Sequence, residues 1–147
     1  MHGRERRVLF LCTGNSARSI MAECILNRRG RGAFSAGSHP RGEVHPMTLR
    51  ILQEWGYDTR NLRSKSWDEF ARPDSPPLDF IITVCDRAAG EVCPLWPGRP
   101  VTAHWSIPDP AAFDGLKAAR YRCFGRIYIE LESRIELFAG LENKTLR

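Results

Sequence analysis

Residues 8–26 read VLFLCTGNSARSIMAECIL, and this stretch decides the fold. It begins with an apolar run typical of a buried strand and ends in a helical pattern that starts near Ile20. A loop of this kind, between a strand and a helix, can curl its backbone N–H groups around a tetrahedral anion, and the helix N-terminus adds positive potential. Arg18 offers a planar fork for two of the anion's oxygens. Gly14 and Asn15 tolerate the positive φ angles that such a tight loop needs.

Cys12 lies at the base of this loop, and five residues separate it from Arg18. Cysteines at helix N-termini beside cations have pKa values lowered to roughly 3.5–7.5, so the loop favours a thiolate nucleophile. A nucleotide-binding P-loop is disfavoured because no Gly-Lys-Ser/Thr ends the loop. The predicted oxyanion-binding residues are the remainder of the loop: Thr13, Gly14, Asn15, Ser16, Ala17, Arg18 and Ser19.

The chain has 147 residues, which suits one domain, and we expect residues 1–6 to form a flexible tail before it. Five cysteines without an export signal favour free thiols in a reducing compartment, so we expect a cytoplasmic protein. The sequence has no Cys-x-x-Cys pair and no cluster of histidines with cysteines, so we predict no metal site.

The formal net charge of +5 can raise the local concentration of an anionic substrate. No basic stripe with interleaved aromatic residues is present, which disfavours nucleic acid as a partner. No apolar run approaches the roughly 20 residues needed to span a bilayer, so we predict no membrane segment.

Strand and helix patterns alternate along the chain. We predict strands at 7–11, 34–37, 78–84 and 101–105, helices from the loop to about residue 29 and from 46 to 55, a short helix after Ser66, and a long helix carrying the apolar positions between 121 and 138. This alternation predicts an α/β fold: an open, mostly parallel four-stranded sheet with helices on both faces. The segments after Leu11, Val84 and Trp105 would meet at the carboxyl edge of that sheet.

Cys85 ends the predicted third strand, and Cys93 follows eight residues later. Their separation alone fits two unrelated structural cysteines. The strand end, however, places Cys85 on the same edge as Cys12. Three thiols on one edge allow a relay, in which one thiolate attacks the substrate and the disulfide that forms passes outward by thiol–disulfide exchange.

The loop 12–19 resembles the signature loop of the low-molecular-weight protein tyrosine phosphatase superfamily, which also contains thiol-coupled arsenate reductases. The resemblance covers residues 8 to about 138. Residues 84–94, with His104-Trp105 and Asp109-Pro110-Ala111, resemble the redox segment of thioredoxin-coupled arsenate reductases. Two departures are a Cys85–Cys93 spacing one residue longer than in the best-known members and Ala17 where a further cysteine often stands.

The resemblance implies an arsenate reductase without an organic cofactor, with thioredoxin or a similar dithiol protein as partner. Cys12 would attack the arsenic, Asp109 would protonate the departing oxygen, with Asp114 as the fallback acid, and Cys85 and Cys93 would carry the relay. Ser19 would help to stabilise the Cys12 thiolate.

A phosphatase that uses the same Cys12, Arg18 and Asp109 is the alternative, and a non-catalytic oxyanion sensor is a third. Phosphotyrosine phosphatases of the superfamily typically place two tyrosines after the Asp-Pro pair. Here Ala111 and Ala112 follow, which disfavours phosphotyrosine as the substrate.

Other residues are expected to be structural. Cys24 and Cys123 fall within helical patterns and are predicted to be core or inert cysteines, and His104 is predicted to be structural. Asn15, Glu23 and Ser35 match superfamily positions that brace the loop, in some members through a potassium ion. The acidic partner expected near Ser66 is offset in this sequence, so the sequence does not decide whether an ion binds.

Overall fold

The fold is an open sheet of four parallel strands in the order β2-β1-β3-β4. We describe it from a computed structural model that covers residues 6–30, 32–85, 96 and 98–145, with side chains to residue 141. The strands are β1 (Arg7–Cys12), β2 (Gly32–Gly37), β3 (Phe80–Thr83) and β4 (Val101–His104). The predicted parallel α/β sheet is therefore confirmed.

Three α-helices lie within the described ranges: α1 (Arg18–Arg28), α2 (Pro46–Glu54) and α3 (Lys117–Thr145). Pro46 stands in the first turn of α2, where its fixed φ suits a helix start. Two short 3-10 helices, Trp67–Phe70 and Pro110–Ala112, follow the side-chain caps Ser66 and Asp109. The three α-helices and the 3-10 helix after Ser66 lie close to their predicted positions, whereas the turn Pro110–Ala112 was not predicted as a helix.

The two faces of the sheet are covered unequally. Alternate residues of β1 point to opposite faces, as in any strand. Val8 and Phe10 join the larger core cluster, with buried residues of all three α-helices. Leu9 and Leu11 join a smaller cluster that includes Trp67 and Phe70 of the first 3-10 helix. The prediction of helices on both faces is confirmed, with the long helices on one face and a single helical turn on the other.

The sheet register brings the predicted site together. Cys12 pairs with Gly37, and Leu11 pairs with both Ala36 and Thr83, so three strands end at one edge. The loop 13–17 leaves from this edge directly into α1.

The predicted tail, residues 1–6, lies outside the described residues except for Arg6, whose guanidinium is 4.0 Å from the Asp79 carboxylate. Within the described part of the chain, no helix has the length and apolar character needed to cross a bilayer.

Candidate active site

A cavity of about 590 Å³ opens at the carboxyl edge of the sheet. Each of the four strands is followed by a segment that contributes to its wall. The lining residues are Thr13, Gly14, Arg18, His39, Arg41, Cys85, Ile107, Pro108 and Asp109. Cys12, at the end of β1, is 5% exposed. The residues predicted after the first, third and fourth strands are thus brought together.

The first two carbonyl groups of the loop are turned toward the segment after β2. The Thr13 carbonyl accepts a hydrogen bond from the His39 amide at 2.9 Å. The Gly14 carbonyl accepts from the Arg41 amide at 3.0 Å and from the Ser64 hydroxyl at 3.1 Å. Because a trans peptide places its C=O and N–H on opposite sides, the amides of the two following residues point away from these partners.

The Ser16 carbonyl is held by the start of α2. It accepts from the His45 amide at 3.0 Å and from the Thr48 hydroxyl at 3.1 Å. The amide of Ala17 therefore points away from α2. The loop has the form expected of an anion cup, with carbonyls directed outward and amides left for the concave side.

Asn15 fixes the tightest point of the loop. Its φ of 45° lies in the left-handed region, and its side chain is fully buried. The side-chain amide donates to the Ser19 hydroxyl at 2.8 Å, and its oxygen accepts from the Lys65 amide at 2.9 Å. The loop also lies close against Gly37, where a Cβ atom would come within 2.5 Å of the Thr13 carbonyl oxygen. Only glycine fits there.

Arg18 connects the loop to the opposite wall. Its Nη1 donates to the Ile107 carbonyl at 2.9 Å, and its Nη2 is 3.6 Å from the Asp109 carboxylate. Its Nε is buried and has no hydrogen-bond partner among the described residues. Asp109 also accepts from the Ala111 amide at 2.9 Å and keeps a side chain 37% exposed, whereas the fallback acid Asp114 does not line the cavity. The site thus contains an unused buried donor beside a solvent-accessible carboxyl group.

Cys85 lies against the nucleophile. Its Sγ accepts a hydrogen bond from the Thr13 amide at 3.3 Å, and its thiol is close enough to Cys12 to raise the pKa of the Cys12 thiol. Thr13 lines the cavity. Its amide was predicted to bind the anion, but in this structure it donates to the Cys85 sulfur. All four described cysteines are free thiols, and Cys93 lies outside the described residues.

The two thiols compete for one negative charge. The hydrogen bond with Cys85 and then burial raise the pKa of Cys12, and Arg18 and the Thr13 amide oppose this shift. The lowered pKa expected from the loop alone is thus wrong for Cys12 in this structure, because that expectation left out the second thiol. The pair can hold one thiolate, not two.

The three residues predicted to have no catalytic role, Cys24, Cys123 and His104, do not line the cavity. Cys24 is buried in α1, and burial raises its pKa to about 12. Cys123 is half-buried on α3. His104 is exposed and hydrogen-bonded to the Thr83 hydroxyl at 2.7 Å, away from the cavity lining.

Sequence reasoning missed His39 and Arg41, which line the cavity. The signal was available, because both follow the carboxyl end of β2, and this end lies on the same edge as the Cys12 loop. The predicted site included only the segments that follow the other three strands.

Sequence reasoning also missed Lys65. Its ammonium group is 3.9 Å from the Glu23 carboxylate, and the same carboxylate oxygen accepts from the Ser35 hydroxyl at 2.5 Å. The Lys65 ammonium group therefore lies among the residues that hold a potassium ion in some superfamily members. These residues do not fit a potassium ion, because the ion and the ammonium group would repel each other.

Comparisons with known proteins agree with the fold and the loop. The family model described as low molecular weight phosphotyrosine protein phosphatase matches residues 7–147. An arsenate reductase of Halalkalibacterium halodurans is 34% identical over 136 residues, which are 90% of this chain and 94% of that relative.

Two solved structures are also similar. An arsenate reductase from Archaeoglobus fulgidus has a TM-score of 0.69 and 32% identity, over 91% of this chain and 99% of that chain. A thioredoxin-dependent arsenate reductase from Corynebacterium glutamicum has a TM-score of 0.60 and 31% identity, over 93% of this chain and 65% of that chain.

Proposed function

We propose that this chain, which belongs to the low molecular weight phosphotyrosine protein phosphatase family, is an arsenate reductase that works through a cysteine relay. The observation that carries the proposal is the Cys85 thiol, which lines the same cavity as the loop, accepts from the Thr13 amide and lies close enough to Cys12 to raise its pKa. Phosphate-ester hydrolysis needs water at this position, whereas reduction of a pentavalent oxyanion needs a second thiol. The similarity to proteins named arsenate reductase supports the same choice.

The loop and Arg18 would hold the oxyanion. The amides after the outward-turned carbonyls supply neutral donors, and the unpartnered buried Nε of Arg18 supplies a charged one. The Cys12 thiolate attacks arsenic, and an As–O bond breaks as the S–As bond forms. Asp109 protonates the departing oxygen, so that water leaves rather than hydroxide.

The relay then removes the arsenic. The Cys85 thiolate attacks the Cys12 sulfur, a disulfide forms, and the electron pair of the S–As bond passes to arsenic. Arsenic is reduced from the pentavalent to the trivalent state while two thiols are oxidised. Cys93 attacks Cys85, which frees Cys12, and a dithiol protein such as thioredoxin reduces the Cys85–Cys93 disulfide.

The proposal includes one domain over residues 1–147 in a cytoplasmic, reducing compartment. A family match that runs from residue 7 to residue 147 supports the single domain. The free thiols of Cys12 and Cys85 support the compartment, because the relay begins with both reduced.

The relay is tested by arsenate-dependent NADPH consumption with thioredoxin and thioredoxin reductase, beside aryl-phosphate hydrolysis. The variants are Cys85→Ser and Cys93→Ser, with Cys123→Ser as the matched control on α3. We expect both relay variants to lose repeated arsenate reduction and to keep aryl-phosphate hydrolysis. Cys123→Ser should keep both activities.

The two relay variants should stop at different points. Cys93→Ser should complete one round and stop at a Cys12–Cys85 disulfide, which mass spectrometry of a digest would identify. Cys85→Ser should retain an arseno-adduct on Cys12. If both variants sustain wild-type arsenate reduction with thioredoxin, the relay is wrong, and the function returns to a phosphatase that uses Cys12, Arg18 and Asp109.

A further inference from the structure

Lys65, Glu23 and Ser35 form a largely buried cluster that adjoins the anion cup through the hydrogen bond between the Lys65 amide and Asn15. The side chain of Lys65 is 9% exposed and that of Glu23 is 18% exposed. A buried carboxylate or ammonium is retained only where it is paired. Here the Lys65 ammonium group lies 3.9 Å from the Glu23 carboxylate and donates to the Arg63 carbonyl at 3.0 Å, and the Ser35 hydroxyl donates to the carboxylate.

The electrostatics show that the pair depends on both partners. Burial raises the pKa of Glu23, and the charge of Lys65 opposes that shift. Burial lowers the pKa of Lys65, and the charge of Glu23 opposes that shift in turn. Removal of either charge would take away the largest opposite charge acting on the other group, and Arg63 near Glu23 and Glu69 near Lys65 would compensate only in part.

Lys65 is also tied directly to the loop. Its amide donates to the Asn15 side chain at 2.9 Å, and its carbonyl accepts from the Gly37 amide at 2.9 Å. Asn15 in turn donates to the Ser19 hydroxyl at 2.8 Å. One hydrogen bond therefore joins the Lys65 backbone to Asn15, the loop residue with the left-handed φ. A shift of the Lys65 side chain that moved this backbone would act directly on Asn15.

We propose that Lys65 is a positioning residue whose ammonium group serves as a built-in cation for the anion cup, so that the cup holds its shape without a bound monovalent cation. The ammonium group is the permanent counter-ion of Glu23. It holds the Lys65 backbone where Asn15 needs its hydrogen bond. The inference rests on the proposed oxyanion site but not on the reductase chemistry.

The experiment compares the wild-type protein with Lys65→Gln, and uses Lys117→Gln as the matched control because Lys117 is exposed at the start of α3. The affinity for inorganic phosphate and the midpoint of thermal unfolding are measured in potassium chloride and in choline chloride at equal ionic strength. We expect the wild type and Lys117→Gln to give the same values in both salts.

Lys65→Gln should bind phosphate about tenfold more weakly in choline chloride, a loss typical of groups that hold a binding residue in place. Potassium should restore most of this affinity and raise the unfolding midpoint, because the variant offers oxygen atoms and a partly compensated carboxylate where the ammonium stood. The double variant Lys65→Gln/Glu23→Gln should not respond to potassium. It should remain weak in phosphate binding.

A wild-type protein that itself needs potassium for phosphate binding would overturn the proposal, as would a Lys65→Gln variant indifferent to the salt. If Lys65→Gln folds in neither salt, the double variant decides, since it leaves no unpaired charge. Phosphate binding at wild-type strength by that variant would overturn the positioning role. If the wild type binds no phosphate at all, the oxyanion site fails, and the potassium response of the Lys65→Gln unfolding midpoint still tests Lys65.

Discussion

The two walls of the cavity are built in opposite ways. The loop wall, residues 13–17, has carbonyl groups anchored by the segments around His39, Ser64 and Thr48. The Arg18 side chain joins the facing wall, residues 107–109, to the start of α1 through the Ile107 carbonyl and the Asp109 carboxylate. Asp109 on that wall is more than a third exposed, whereas Asn15 in the loop is fully buried.

This difference separates binding from proton transfer. Hydrogen bonds to the carbonyls of the loop hold the amides that follow them toward the cavity, whereas the Thr13 amide donates to Cys85. Arg18 lies beside Asp109, the acid of the facing wall, and in the proposed reaction it would also bind the anion. Substitutions in the loop should therefore remove binding or the nucleophile outright, and substitutions on the facing wall should slow one chemical step.

The largest expected effect comes from Cys12→Ser. A serine hydroxyl at the base of the cup would stay protonated and would be a poor nucleophile, so both arsenate reduction and aryl-phosphate hydrolysis should be abolished. The cup is held by other residues, so calorimetric titration should show that phosphate still binds. Turnover by a well-folded Cys12→Ser protein would contradict the role of Cys12.

The facing wall is tested by Asp109→Asn. The amide can still accept the hydrogen bond from Ala111, so the 3-10 helix should remain, but no proton can be donated. Rates that depend on leaving-group protonation should fall by about 10²–10⁴-fold. Asp114→Asn, which changes an exposed carboxyl group outside the cavity, is the matched control, and the reverse ranking of the two single-turnover rates would move the acid to Asp114.

The close contact behind the cup is tested by Gly37→Ala. The added methyl group would lie 2.5 Å from the Thr13 carbonyl oxygen and 2.9 Å from that of Cys12, so the loop must shift. We expect a loss of about 1–3 kcal/mol in the free energy of unfolding, together with weaker phosphate binding. Gly140→Ala on α3, where the new methyl group meets nothing within 4 Å, should not destabilise the protein in the same urea titration.

The smallest expected effect concerns His45, which joins the loop to α2. Its Nδ1 accepts from the Met47 amide at 3.1 Å, which requires the neutral ring. Burial, then Arg120 and Arg41, lower its pKa, and Asp109 opposes them. The unfolded chain therefore takes up the proton first, and this part of the stability is lost as the pH falls below about 6.5.

Asn is also a good N-cap and carries no titratable group, so His45→Asn should lack this pH dependence. Unfolding midpoints at about pH 7.5 and about pH 5.5 would compare the two proteins on either side of the ordinary histidine pKa. An equal loss of stability in both would show that His45 does not carry the effect.

Much of the fold followed from local pattern. The strand, loop and helix of residues 7–28 were predictable because an apolar run, a glycine-containing turn and a helical period stand side by side in the sequence. The approach of Cys85 to Cys12 was predictable because parallel strands share a carboxyl edge.

The parts that were missed depend on packing between distant segments. Nothing local to Lys65 shows that its side chain reaches Glu23, and nothing local to Gly37 shows that the loop carbonyls lie against it. The raised pKa of Cys12 was missed for the same reason, since it depends on a thiol more than seventy residues away in the chain. Ser66 was predicted to cap a short helix. It caps a single turn of 3-10 helix, because only four residues separate it from the next turn.

The contact between Cys12 and Cys85 also bears on release of the product. Trivalent arsenic is thiophilic, and two neighbouring thiols would chelate it and hold the product on the enzyme. In the proposed reaction the two sulfur atoms bond to each other in the same step that frees arsenite. The chelating pair is therefore absent at the moment when the product is most concentrated, and it returns only after the disulfide has moved on to Cys93. In the proposed reaction, this order of bond formation would keep Cys12 and Cys85 from chelating the arsenite that they have just released.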